Sequence, residues 1–499
     1  MMYMTEQEFL KLKNGTDVRG TALDGVAGDP VTLTQEAVTK IASAFCLWVK
    51  TRLKKSPTIA VGHDSRLSAD DISAWVTAGI TACGGNVVLT GLSSTPSMFM
   101  LLQDDFGADA SVMITASHLP YQKNGLKFFV KEGGLEGSDI TELLKLAAAG
   151  DFPEGKGTVT EKSYIEKYAS DLVEKVRKAT GKEKPLAGKR ILVDAGNGAG
   201  GFYVDLVLKP LGADTTGSQF LEPDGSFPNH IPHPETADAM KSVCAAVKAH
   251  GADFGIIFDT DVDRAGAVSP DGEEINRNRL IALISAILLE EKSGAYIVTD
   301  SVTSDGLAAF IKARGGVHHR FKRGYKNVIN ESKRLNAEGK YSPLAIETSG
   351  HAALSENYFL DDGAYLVTRL IIALAQKGDL MTLIKDLPEP KEAAEARLTF
   401  EAGCDFKTLG AGVISDLTKL SKVKEYLTPA PDNYEGIRMN FDAKHGHGWA
   451  LVRMSLHEPI MPINVESEDS GGNKLIAAEL ISFLKKYPFL DLANLEKLL

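Results

Sequence analysis

Two stretches of this 499-residue chain carry side chains spaced for chemistry. The first is Thr115-Ala116-Ser117-His118-Leu119-Pro120, with Asn124-Gly125 and Lys127 just beyond it. A serine hydroxyl is a weak nucleophile until a neighbouring base or charge activates it. His118 offers a titratable group and Lys127 a fixed positive charge. The second is Asp259-Thr260-Asp261-Val262-Asp263-Arg264. Three carboxylates at alternate positions cannot all enter a sheet interior. On a loop they converge on a hard cation and leave one ligand position for a phosphate oxygen. Calcium-binding helix–loop–helix motifs begin in a similar way, but the glycine at the sixth position and the glutamate at the twelfth are missing here. Each stretch also has a bland reading, as a polar turn or a solvated acidic turn.

Both stretches need a rigid support, and the flanking sequence supplies one. Residues 108–114 are small and apolar and predict a buried strand, and 126–130 predict another, so Ser117 falls on a loop at a strand's end. Residues 254–258 likewise feed the acidic loop as a buried strand. Elsewhere helices expected at 34–54, 70–83 and 97–103 alternate with strands at 58–62 and 86–89, which implies a mostly parallel sheet covered on both faces. Asp64 and Arg66, at the end of 58–62, read as a local turn with a salt bridge. Helices at 136–148 and 161–178 lead to a basic linker at 181–188. A second α/β unit opens at 190–194 with a glycine-rich turn, 195–201, whose spacing does not fit a dinucleotide-binding loop. Phe227 to Pro234, with three prolines and two histidines, reads as a rigid loop. A third unit starts near 295 and contains the most basic local cluster, 318–326, for which a solvated charge run is the ordinary reading. The last hundred or so residues read as strands followed by helices, an α+β block.

Bulk properties narrow the class. The length exceeds what one core supports, so two to four domains are expected. A formal charge of −11 argues against a general nucleic-acid or anionic-membrane binder, so an anionic substrate needs a local Lys/Arg cluster. The four cysteines lie far apart in sequence without a C-x-x-C pair and read as reduced thiols, neither zinc site nor disulfide framework. No secretory signal and no membrane-spanning run is expected. A cytoplasmic location follows, or an organellar one after removal of a transit peptide.

The string T-A-S-H-x-P-x-x-x-N-G-x-K resembles the signature of the α-D-phosphohexomutases, with Leu119 where asparagine is usual. The resemblance runs along nearly the whole chain. Gly15-Thr16-Asp17-Val18-Arg19-Gly20, alone a hairpin turn, matches a segment that lies under the reacting serine and whose arginine faces the cleft. Asp259 to Arg264 matches the metal loop, with Thr260 in place of glycine. Lys326 matches a substrate-facing position, and Arg323 beside it replaces the usual valine. Glu347-Thr348-Ser349-Gly350-His351 matches the sugar-specificity loop, and Asp361-Asp362-Gly363-Ala364 follows as it should. Arg453-Met454-Ser455-Leu456-His457-Glu458-Pro459 is a degraded match to the loop that binds the non-reacting phosphate. There Leu456 and His457 replace a small residue and threonine, and a following arginine is missing.

The resemblance implies four domains around a central cleft: three related α/β domains with mixed, mostly parallel sheets, and a C-terminal α+β domain. The expected boundaries are 1–185, 186–294, 295–391 and 392–499. It implies a catalytic set of Ser117, His118, Lys127, His351, Arg19 and Arg264. Substrate would be held by Lys326, Glu347, Ser349, Arg453, Ser455 and His457. Mg²⁺ would lie on Ser117, Asp259, Asp261 and Asp263. The implied activity interconverts hexose 1-phosphate and hexose 6-phosphate, of glucose, mannose or both, through a phosphoserine and a 1,6-bisphosphate. Hexose phosphates and the bisphosphate are then the partners of a monomer or homodimer, with no nucleic acid and no membrane. Alternatives kept open are a hexose 1,6-bisphosphate synthase, a phosphoglucosamine mutase, a phosphatase and a non-catalytic sugar-phosphate binder. His457, next to a phosphate, is expected to add a pH-dependent contact.

Overall fold

The computed structural model describes residues 4–455 and 458–499. Leu456 and His457 lie outside the described residues, and the contact expected of His457 lies there too. The chain forms two compact units. One comprises the residues up to Asn276 together with Ser349–Leu380; the other comprises Arg277–Thr348 and Met381–Leu499.

The first unit holds two sheets. The larger has strands Thr58–His63, Asn86–Leu92, Ala110–Ile114 and Val159–Glu161 in parallel contact. Lys123–Val130 then adds antiparallel to Ala110–Ile114, and Asp17–Thr21 adds antiparallel to Lys123–Val130. The helix Gln35–Leu53 starts where Thr34 accepts a hydrogen bond from the Ala37 N–H, and ends on Lys54 in a left-handed conformation. It buries Ile41, Phe45 and Trp48 in a core shared with Ile72, Ile80, Val112 and Phe128. A side-chain oxygen at the N-cap satisfies one of the N–H groups a helix start leaves unpaired.

The second sheet is mixed, as expected, with its antiparallel pairs on one side. Ile191–Asp194 and Phe254–Phe258 are parallel, but Ala265–Val268 and Glu274–Ile275 add antiparallel. The reason is local: the chain turns back on itself straight after Phe258, so the acidic stretch becomes the connection of a tight hairpin. The Ser117 stretch is built alike, as the connection between Ala110–Ile114 and its antiparallel partner Lys123–Val130. The glycine-rich turn is followed by a π-helical segment, Tyr203–Leu208, which nothing in the sequence pattern announced.

The other unit pairs Tyr296–Thr299 in parallel with Val317–Arg320 and Leu344–Ile346. It also carries an antiparallel sheet in which Glu392–Phe400, Ile437–Phe441, Gly448–Val452 and Ile460–Ser467 are the long members. Its helices interleave with the strands, as Phe406–Val423 follows the first strand and Gly472–Leu484 the fourth long one. The expected order of strands then helices does not hold. Nor is the basic cluster a solvated run: Arg320 is buried against Asp305 and the Ser304 carbonyl, and His318 bonds Thr299 Oγ1. Among the described residues no helix is long and apolar enough to cross a membrane.

Candidate active site

In the first unit the two hairpin connections meet. Ser117 Oγ donates to Asp259 Oδ2 at 3.1 Å and accepts from the Arg264 guanidinium at 2.6 Å. His118 Nδ1 lies 3.3 Å from Ser117 Oγ and accepts from the same guanidinium. Burial pushes the His118 imidazole far below its ordinary range, and Arg264 adds to the effect, so His118 stays neutral. Arg264 Nε is 3.1 Å from Asp259 Oδ2, and its backbone N–H donates to Asp259 Oδ1.

Ser117 and Val262, one in each connection, take left-handed backbone conformations, with φ of 52° and 66°. That region is uncommon for any residue with a Cβ and an outlier for a β-branched one. Surrounding structure must therefore hold them.

The three aspartates are buried, and each offers a carboxylate oxygen within 4.8 Å of the others. Asp261 Oδ1 is buried with no hydrogen-bond partner. Lys127 Nζ is 3.0 Å from Asp261 Oδ2 and also pairs with Asp263. Burial and the Asp263 and Asp261 carboxylates push Asp259 well above the usual carboxylate range. Burial works the same way on Asp263, but Lys127, His351 and Arg264 overcome it and hold Asp263 well below that range. Clustered hard oxygen donors with an orphaned carboxylate oxygen fit a divalent cation. The loop is an acidic metal-binding cluster.

The loop 349–363 packs against this hairpin. Gly363 has room only for a hydrogen, since a Cβ there would come within 2.6 Å of the Arg264 carbonyl carbon. His351 pairs through Nδ1 with Asp361 and lies 4.0 Å from Asp263. Burial opposes its protonation, but Asp361 and Asp263 hold its pKa above the ordinary imidazole range. Ser349 Oγ is buried without a hydrogen-bond partner. Arg19 donates to the Ala116 carbonyl at 3.3 Å and to Asp17 at 2.9 Å, which sets it under the Ser117 connection. Ser117, His118, Lys127, Arg19, Arg264, His351 and the aspartates are thus brought together in this unit.

The remaining candidates belong to the other unit. Glu347 Oε1 accepts the Gly324 N–H at 2.7 Å, just ahead of Lys326 in the helix Tyr325–Ala337. Arg323 Nε lies 3.3 Å from Asp300 Oδ2. Glu435 gathers the rest. Its Oε2 accepts from Ser301 Oγ at 2.7 Å and from the Arg323 N–H at 3.0 Å, and its Oε1 is 3.6 Å from Arg453 Nη1. Ser455 Oγ accepts the Glu458 N–H.

Four residues outside the expected site set matter to this geometry. Thr95, which opens the helix Thr95–Met100, donates through Oγ1 to Asp261 Oδ2 at 2.5 Å, and its N–H donates to the Asp261 carbonyl. Arg66 reaches past its local salt bridge into the Ser117 connection. Glu435 ties two arginines together. His233, expected in a purely structural loop, stacks at a tilt on His118 with ring centroids 4.4 Å apart. All four contacts join residues remote in sequence, which no local motif could signal.

Comparison with known proteins agrees with this layout. Family models described as phosphoglucomutase/phosphomannomutase, alpha/beta/alpha domains I, II and III, match residues 11–153, 162–272 and 276–390. The chain is 30% identical to a phosphoglucomutase of Neisseria gonorrhoeae over 93% of its own length and 96% of that protein. It is 29% identical to a phosphomannomutase/phosphoglucomutase of Pseudomonas aeruginosa, covering 90% of this chain and 91% of the relative. A crystal structure of a phosphoglucomutase/phosphomannomutase family protein from Burkholderia thailandensis superposes with a TM-score of 0.79 at 27% identity, covering 97% and 98% of the two chains. With three α/β/α domains, a further C-terminal domain and the serine set against an acidic metal loop, the chain belongs to the phosphoglucomutase/phosphomannomutase family of α-D-phosphohexomutases, enzymes of the isomerase class.

Proposed function

We propose that this chain interconverts hexose 1-phosphate and hexose 6-phosphate, with glucose, mannose or both as the sugar, through phosphoserine 117 and a hexose 1,6-bisphosphate. The observation that carries the reading is the 2.6 Å bond from Arg264 to Ser117 Oγ beside three convergent aspartates. In the first half-reaction a hydroxyl oxygen of the bound hexose monophosphate bonds to phosphorus as the bond from phosphorus to Ser117 Oγ breaks. Ser117 Oγ leaves with that electron pair, next to the Arg264 guanidinium. The sugar hydroxyl proton, handled by His351 or His118, ends on Ser117 Oγ, so atoms and charge balance. The bisphosphate then turns over and returns its other phosphate to Ser117 by the reverse step.

Asp259, Asp261 and Asp263, with Ser117 Oγ, would hold Mg²⁺, which supplies Lewis-acid charge to the transferring group. Arg19, Lys127 and Arg264 add fixed positive charge, the main resource in phosphoryl transfer. Lys326, Glu347, Ser349, Arg453 and Ser455 would bind the sugar and its distal phosphate. In this reading the chain works as four blocks, 1–185, 186–294, 295–391 and 392–499, in the cytoplasm as a monomer or homodimer.

The test is a panel of glucose, mannose and glucosamine 1-phosphates with Mg²⁺, with and without catalytic glucose 1,6-bisphosphate, followed by ³¹P NMR. Conversion of the glucose or mannose ester to its 6-phosphate supports the reading. Accumulating bisphosphate points to a synthase, conversion confined to glucosamine phosphate to that mutase, and free phosphate to a phosphatase. Calorimetric binding without turnover points to a binder.

A further inference from the structure

Arg66 is enclosed completely, its side chain sealed from solvent together with its partner Asp64. Its guanidinium spends its donors on backbone carbonyls of one short segment. Nη1 donates to the carbonyls of Pro120 and Lys123, both at 2.8 Å. Nη2 donates to those of Ser117 at 2.5 Å and Leu119 at 2.6 Å. The connection that carries Ser117 is therefore wound around a single planar cation. A guanidinium presents its donors in a rigid fork, whereas an ammonium offers three from one atom and cannot reach four carbonyls so arranged.

The same pair also holds the other side of Ser117. Asp64 Oδ2 accepts from Thr115 Oγ1 at 2.6 Å, and Thr115 Oγ1 accepts the Ser117 N–H at 2.8 Å. Asp64 Oδ1 accepts the Arg66 N–H at 3.0 Å. Ser117 thus has its carbonyl fixed by Arg66 and its N–H fixed through Thr115 by Asp64. That accounts for a left-handed residue which is not glycine. The arrangement is capped from the second α/β segment of the same unit. Phe227 lies with its ring centroid 5.3 Å from the Arg66 guanidinium carbon, and Gly225 packs so closely on Ser65–Leu67 that a Cβ would fall 2.3 Å from the Leu67 nitrogen.

We infer that Arg66, supported by Asp64, is a positioning residue for phosphoryl transfer: it sets the Ser117 hydroxyl at its bonding distances from Arg264 and Asp259. The inference rests on Ser117 being the phosphoryl carrier. Arg66 touches no reacting atom, and its effect belongs to the chemical step, since small misplacements of a reacting group cost far more rate than binding.

The experiment compares wild type with Arg66→Lys after incubation with glucose 1,6-bisphosphate. Well below the melting range it reads phosphate on Ser117 by intact mass, the phosphoserine ³¹P resonance and steady-state constants; the thermal midpoint is measured separately. For a folded Arg66→Lys chain we expect kcat lower by roughly 100-fold, KM for glucose 1-phosphate within about threefold, and a shifted or broadened ³¹P signal. A merely structural role would lower the midpoint and leave kcat and the resonance of the folded molecules in place, and that result overturns the inference. Should Arg66→Lys fail to fold, Asp64→Asn carries the test, with kcat expected to fall roughly tenfold at unchanged KM; an unaltered kcat then overturns the role. A wild-type chain that takes no phosphate on Ser117 overturns the phosphoserine reading instead. A phosphorylated, active wild type beside an equally fast variant removes Arg66 alone.

Discussion

The Ser117–Asp259 region and the Arg323–Glu435–Arg453 region belong to the same protein but are built to different standards. Around Ser117 the aspartates, Lys127 and Arg264 are buried, Ser117 Oγ is already bonded to Arg264 and Asp259, and two residues are held in left-handed conformations. Around Glu435 the charged side chains stay partly open to solvent, with Arg323 26% and Arg453 12% exposed, and the closest Arg453–Glu435 approach is 3.6 Å. Burial holds Arg453 below the usual guanidinium range, Glu435 opposing it and Arg323 adding to it. The contrast separates two tasks. Dipoles and charges that act on a transferring phosphoryl group must be in place beforehand, because reorganising them would raise the barrier. Groups that recognise a sugar phosphate need only reach it.

Four substitutions can break or sharpen that contrast. The largest effect belongs to Ser117→Ala, which removes the phosphoryl carrier: turnover should fall by at least roughly ten-thousand-fold with the fold intact, and intact mass should show no added phosphate. Residual turnover near wild type would move the chemistry away from this region altogether. Next comes Asp261→Asn. It keeps the shape and the bond from Thr95 but removes charge from the cation site, so activity should drop roughly 100-fold and the Mg²⁺ titration should shift to higher concentration. Full activity with an unmoved titration would place the cation elsewhere.

Glu435→Ala probes the more open region. Freed from their shared carboxylate, Arg323 and Arg453 should lose their mutual arrangement, raising KM for sugar phosphate roughly tenfold while kcat stays within a factor of about three. A fall in kcat at constant KM would show that this region, too, is set for the transition state.

The smallest effect is in stability. Burial raises the Glu466 carboxyl to about 7, with Arg438 and the Trp449 indole N–H opposing. Between the ordinary carboxyl value of 4.5 and about 7, folded chain therefore holds a proton that unfolded chain has released. Stability from this group is present below that window and is lost as pH rises through it, by at most about 3 kcal/mol. Glu466→Gln should flatten the difference between urea midpoints at pH 5 and pH 8. An unchanged difference would show that Glu466 titrates normally.

The sequence made the reacting region legible in outline because its chemistry is local. Ser117-His118 and the alternate aspartates each sit within a few residues, and the apolar runs before them announced the supporting strands. What stayed hidden were contacts made across the chain: Thr95 to Asp261, Arg66 to the carbonyls beyond Ser117, Glu435 to Arg323. An Asp-Ser-Arg turn looks the same whether its arginine faces water or serves as the template for another loop; only the fold decides. Which strands of the second sheet run antiparallel was missed because apolar strands of either orientation read alike, and the basic cluster because its pairing partner Asp305 precedes it by over a helix.

The glycine-rich turn after Ile191–Asp194 carries a consequence for how variants of this protein are read. Gly198 lies against the backbone of Thr260, where a Cβ would come within 2.7 Å of the Thr260 carbonyl oxygen, and the Ala199 N–H donates to that same oxygen. Through these contacts the turn sets the height at which the acidic hairpin rests. A Gly198→Ala allele would look like a conservative change in a connecting loop. Its carrier should nonetheless share the phenotype of an aspartate lesion, with cation requirement rather than protein abundance as the trait that moves. In a catalogue of inherited changes, position 198 belongs with Asp259, Asp261 and Asp263.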